Sequence, residues 1–91
     1  MYETFEEQVE RLLNYPDATQ ASLWGGIERI DARARAKRNS SRTGRVERYE
    51  LLKIEAAAGR LLYFSHHRAH AFDTTDRERA LIERIMALQP T

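Results

Sequence analysis

Apolar residues recur at helical spacing in three stretches of the chain. In the first, Phe5, Val9, Leu12 and Leu13 share one face, and Thr4 with Glu7 has the form of a capping box. Asn14-Tyr15-Pro16 ends the run, because proline biases the residue before it away from helical geometry. In the second, Leu23, Ile27, Ile30 and Ala34 form the stripe, Trp24 lies on its flank, and Asp17 with Gln20 is the expected cap. Gly25-Gly26 weakens that helix, so a bend or a close helix crossing is expected there. In the third, Thr75 and Glu78 form another capping box. Leu81, Ile82, Ile85, Met86 and Leu88 line one side, and Pro90 lies just past the end. "RNSSRTG", residues 38–44, carries cations, Ser, Asn and Gly without an apolar residue and reads as an exposed loop.

Residues 45–73 fit two periods. As a helix, Leu51, Ile54, Ala58, Leu61, Ser65, Ala69 and Phe72 recur at spacings of three and four. As strands, "ERYELLKIEA" and "RLLYF" are apolar-rich runs, with Gly59 supplying a turn between them. An unbroken helix here would approach about 28 residues, long for a small domain. It would hold Gly59 in its middle, and "LLYF" would place apolar side chains on every side. The strand reading is therefore preferred. The expected fold is α+β: an N-terminal helical hairpin packed on a small antiparallel sheet with a C-terminal helix, one domain over 1–91. The alternative is an all-α four-helix bundle.

Composition narrows the function classes. The chain has no cysteine, which excludes disulfides and thiolate metal sites. No apolar run approaches the roughly 18 residues of a membrane span. "MYETFEEQVE" lacks the basic start and apolar centre of a signal peptide, so a cytoplasmic protein is expected. A net charge of +1 hides an uneven distribution. Residues 1–27 hold one Arg against five acids, residues 28–54 hold nine cations against four acids, and residues 55–91 hold five of each. Among the fifteen cations only Lys37 and Lys53 are lysines, and the planar fork of Arg suits phosphate. A basic middle on a near-neutral chain points to a local anionic partner.

With the strand reading, the order of elements resembles the RelE/HigB/ParE toxins, and most of all their phage-derived HigB-like branch. Tyr49-Glu50-Leu51 is similar to that branch's aromatic-Glu-Leu strand opening, Arg60-Leu61-Leu62-Tyr63-Phe64 to its Arg-x-x-Tyr-Phe strand, and His70-Ala71-Phe72 to its His-x-Phe strand end. "LLNYPDATQASLWGGIERI" is similar to the helical hairpin before the sheet. Three features depart from the pattern. The family's first strand is missing or reduced to "MYETF", the stretch between Phe64 and His70 is short, and Asp73-Thr74-Thr75 replaces a basic pair. The resemblance implies metal-independent endonucleolytic cleavage of messenger RNA on the ribosome, restrained by a cognate antitoxin. It implies that Arg60 stabilises the phosphorane.

The residues themselves offer candidates for that chemistry. His66, His67 and His70 crowd into five residues, and imidazole suits acid–base work near neutral pH. On an extended strand His66, Arg68 and His70 project from one face and would meet a phosphate together; a polar turn is the plainer account. On a helix, His66, His70 and Asp73 would share a face as a two-His-one-carboxylate set, but a fourth ligand is not evident, and no metal or other cofactor is expected. Arg33, Lys37, Arg42, Arg45, Arg48 and Lys53 can track a phosphate backbone, with Tyr49 stacking on a base, or can form a solvated helix face and loop. The acidic first helix can instead pair with this basic segment, within the chain or in a homodimer. Whether the chain is an enzyme stays open. A non-catalytic helical accessory protein of phage or plasmid type, binding a protein or nucleic acid, is the competing reading.

Overall fold

The computed structural model describes residues 3–91, and within them the chain is four α-helices without a strand. Helix α1 spans Phe5–Leu13, α2 Gln20–Arg38, α3 Arg45–His67 and α4 Asp76–Met86.

Three starts are set by side-chain caps. Thr4 accepts from the Glu7 N–H while Glu7 accepts from the Thr4 N–H, and Thr75 and Glu78 repeat the exchange at α4. At α2 the cap is Thr19 with Ser22, not the Asp17 and Gln20 expected from the sequence. Gln20 instead secures the chain end. Its N–H donates to the Gln89 carbonyl and its Nε2 to the carbonyls of Met86 and Leu88, while the Ala21 N–H donates to Pro90. Donors left over at the start of α2 thus meet acceptors left over at the end of α4.

One hydrophobic cluster draws on all four helices: Phe5 and Val9; Leu23, Trp24, Ile27, Ile30 and Ala34; Leu51, Ile54, Ala57, Ala58 and Leu61; Leu81, Ile82 and Ile85. Helices α2 and α3 pack against each other most extensively. Their pairing is fastened by Arg38, whose Nε and Nη2 grip both Glu55 oxygens at 2.5 and 3.0 Å. Helix α1 crosses α2 closely at Gly26, where a Cβ would lie 2.6 Å from Leu12 Cδ1. The expected close crossing is therefore present, on the second glycine of the pair.

The α+β expectation is overturned. Residues 45–67 form one helix, and Gly59 lies within it and turns nothing. Leu51, Ile54, Ala58 and Leu61 supply the buried stripe that the helical period indicates, whereas Ala69 and Phe72 lie beyond the helix and Phe72 is fully exposed. The all-α four-helix alternative fits. The reduced first strand suggested for "MYETF" lies partly outside the described residues; Phe5 already belongs to α1. No helix among the described residues is long and apolar enough to cross a membrane.

Candidate nucleic-acid interface

Beyond Ala34 on α2 and Leu51 on α3 the hairpin carries no buried residue, so its last turns and the 39–44 loop extend past the core. Six cations against two acids fall between residues 35 and 50. Arg35 and Arg38 are paired with Asp31 and Glu55, at 2.7 Å and 2.5 Å. The side chains of Arg42, Arg45 and Arg48 are exposed and make no ion pair or hydrogen bond with other described residues. Arg45 and Arg48 begin α3, whose cap Gly44 offers no side-chain acceptor. Cations there oppose the helix dipole, a local conflict that a bound anion would relieve. Val46 and Tyr49 are exposed beside them, Tyr49 at 62%.

The other proposed binding residues separate. Arg33 and Lys37 line an open groove of about 270 Å³ with Arg11, itself ion-paired to Glu3 at the groove's edge, over a floor of Ile30, Leu51 and Ile54. Lys53 lies over the Tyr49 ring, 5.3 Å from its centroid, and 3.3 Å from Glu50. The basic segment is thus two surfaces, a groove and an end. Two contributors escaped sequence reasoning: Arg11, which the charge count assigned to the acidic third, and Val46, an apolar residue in a polar context. Within the chain, and among the described residues, helix α1 makes no ion pair with the basic segment; Glu6 and Glu10 reach Arg77 and Arg84 of α4.

The proposed catalytic set is not assembled. Arg60 is held by Glu78, Nε to Oε1 at 2.7 Å and Nη2 to Oε2 at 2.8 Å, with Asp73 at 3.5 Å from Nη1. Hydrogen bonds to Glu78 raise its pKa further above the ordinary Arg value. Burial pushes the Glu78 carboxyl up, but the Arg60 hydrogen bonds and the Thr75 N–H outweigh it, and the net shift is downward. Glu55 is likewise lowered, chiefly by hydrogen bonds from Arg38.

The histidines are elsewhere. His66 lies in the last turn of α3, about 120° around the helix from Arg60, His67 packs on Tyr63 with ring centroids 4.3 Å apart, and His70 packs on Phe64 at 5.1 Å. Arg68 closes α3 in the left-handed conformation, with Nη1 3.5 Å from Met86 Sδ. An extended strand placing His66, Arg68 and His70 side by side is absent, and with it the shared face. His66 and His70 do not share a helix face either, because the helix stops between them. Among the described residues no group of three or more His, Asp or Glu could hold a metal.

A second hollow, of about 280 Å³, lies between α3 and the starts of α1 and α4. Its charges are already paired: Glu6 with Arg77, Glu50 with Lys53, and Glu78 with Arg60.

The fold and its exposed surface define an all-α, four-helix protein with a basic, projecting hairpin end. No protein-family model, curated protein or solved structure matches the chain.

Proposed function

We propose that this chain is a non-catalytic nucleic-acid-binding module that engages the phosphate backbone through the projecting end of the α2–α3 hairpin. The observation that carries this reading is the cluster of exposed guanidinium groups of Arg42, Arg45 and Arg48, which make no ion pair among the described residues, on a molecule whose net charge is only +1. Arg38, Arg60, Arg77 and Arg84 pair with carboxylates, and Arg29, Arg33 and Arg79, exposed like the three, are not gathered with them at the hairpin end. Guanidinium forks suit phosphate oxygens. Arg33 and Lys37 in the adjoining groove extend the footprint toward α1.

Fluorescence anisotropy with labelled RNA and duplex DNA tests this. The wild-type chain should bind at about 50 mM salt and weaken steeply by about 200 mM, as release of condensed counterions requires. Replacing Arg42, Arg45 and Arg48 with Gln should leave helix content unchanged and reduce the slope of log K against log salt by about 2 to 3. Absence of binding at the lower salt overturns the reading. Cleavage of the labelled RNA in the presence of a chelator would replace it with the endonuclease that the family resemblance implies.

A further inference from the structure

The face of α3 that points away from the core carries Tyr49, Leu52, Ala56, Gly59, Tyr63 and His66, all exposed. Their spacings alternate three and four, the period at which two helices keep a seam in contact. None of the six is an acid, a lysine or an arginine; the nearest permanent charge is the Lys53 ammonium, over the Tyr49 ring at the edge of the ridge. Gly59 has no explanation within the chain: a Cβ there meets nothing within 4 Å, yet glycine inside a helix lowers its stability. A helix approaching from outside would supply the reason, since small residues let backbones come close.

We infer that this ridge is a self-association surface on which a second copy of the chain lays its own α3 in the antiparallel direction. Read in either direction, the ridge has the same size profile: two large residues, two small, two large. Laid against a reversed copy, Tyr49 meets His66, Leu52 meets Tyr63, and Ala56 meets Gly59, each pair repeated across the dyad. Such self-complementarity is what an isologous two-fold contact requires and what a helix of different sequence does not.

The area sets the strength. From Tyr49 to His66 the ridge is about 27 Å long and about 10 Å wide. That is less than the roughly 800 Å² per partner of a standard stable interface, so the contact belongs to the small, exchanging class.

Sedimentation equilibrium of the full chain should show the average mass rising from one chain toward two between about 10 μM and about 1 mM. Gly59→Glu should remain monomeric throughout with unchanged helix content, because its side chain enters open space in the monomer. A wild-type chain that stays monomeric over that range, or a Gly59→Glu chain that still dimerises, overturns the proposal. Direction is read separately. The chain has no cysteine of its own, so L52C and Y63C variants mixed under mild oxidation report only the introduced thiols. The mixed disulfide should dominate; predominance of the L52C homodimer would overturn the antiparallel arrangement.

Discussion

Gly25 and Gly26 are neighbours in α2 with different surroundings. A Cβ on Gly25 would make ordinary contact with Arg29 Nη1 at 3.6 Å, whereas one on Gly26 would come within 2.6 Å of Leu12 Cδ1. Gly25→Ala should therefore stabilise the chain by about 0.5–1 kcal/mol through helix propensity. Gly26→Ala gains the same propensity but displaces Leu12, and should fall below Gly25→Ala by about 1–3 kcal/mol. Urea denaturation of both, and of Gly26→Ala with Leu12→Ala, checks this: the double variant should cost less than its two parts added together. The carboxylates give a second expectation at this scale. Glu55 and Glu78 have folded pKa values below their unfolded ones. Their contribution is full above the unfolded carboxylate pKa of about 4.3 and is lost as pH falls through the folded values. Thermal midpoints should be flat near neutrality and drop in acid. Removing Arg60 should flatten the acid limb. That change strands Glu78 and should cost on the order of 2 kcal/mol, less than a fully buried pair because Arg60 keeps some contact with water.

Helices α1 and α4 were legible because their first turns carry reciprocal caps and their apolar residues keep to one side. Helix α3 was not, and its outer ridge is the physical reason. Tyr49, Leu52 and Tyr63 add apolar residues to the face opposite Leu51, Ile54, Ala58 and Leu61, which blurs the helical period and imitates strands. Gly59 added a false break. The true end of α3 had no sequence signal, since a left-handed closing residue is commonly glycine and here is Arg68, with φ of 54°. Arg68→Gly should relieve that conformation and stabilise the chain by about 1 kcal/mol in urea denaturation. The error propagated to the candidate site. Arg60, His66, Arg68 and His70 converge only if the chain reverses at Gly59, and on a continuous helix they scatter. The basic segment survived it, because local charge density at Arg42, Arg45 and Arg48 does not depend on which period the flanking residues follow. Its division into a groove and an end was invisible, since that depends on where α1 lies.

At the scale of the molecule, charge and shape separate. Arg77 and Arg84 of α4 pair with Glu6 and Glu10 of α1, while Arg42, Arg45 and Arg48 gather at the projecting end of the hairpin. An antiparallel pair built on α3 would hold two such ends apart. Counting from Val46 to the level its counterpart reaches in the reversed copy, they lie about 35 Å from each other along the helix axis. That is close to one turn of duplex DNA, the spacing at which two-fold binders meet successive half-sites. The two readings can therefore be tested jointly without being confounded. A duplex of about 10 base pairs spans one end only, while one of about 25 base pairs reaches both. The wild-type chain should prefer the longer duplex by at least about tenfold per molecule at about 0.5 mM protein, where the dimer forms, because the second contact is then intramolecular. Gly59→Glu should bind the short duplex like the wild type and lose that preference. The Arg42, Arg45 and Arg48 replacements should weaken both duplexes while leaving the sedimentation of the free chain unaltered. Equal affinity of the wild type for the two lengths would separate the dimer from nucleic-acid binding and leave each to stand on its own measurement.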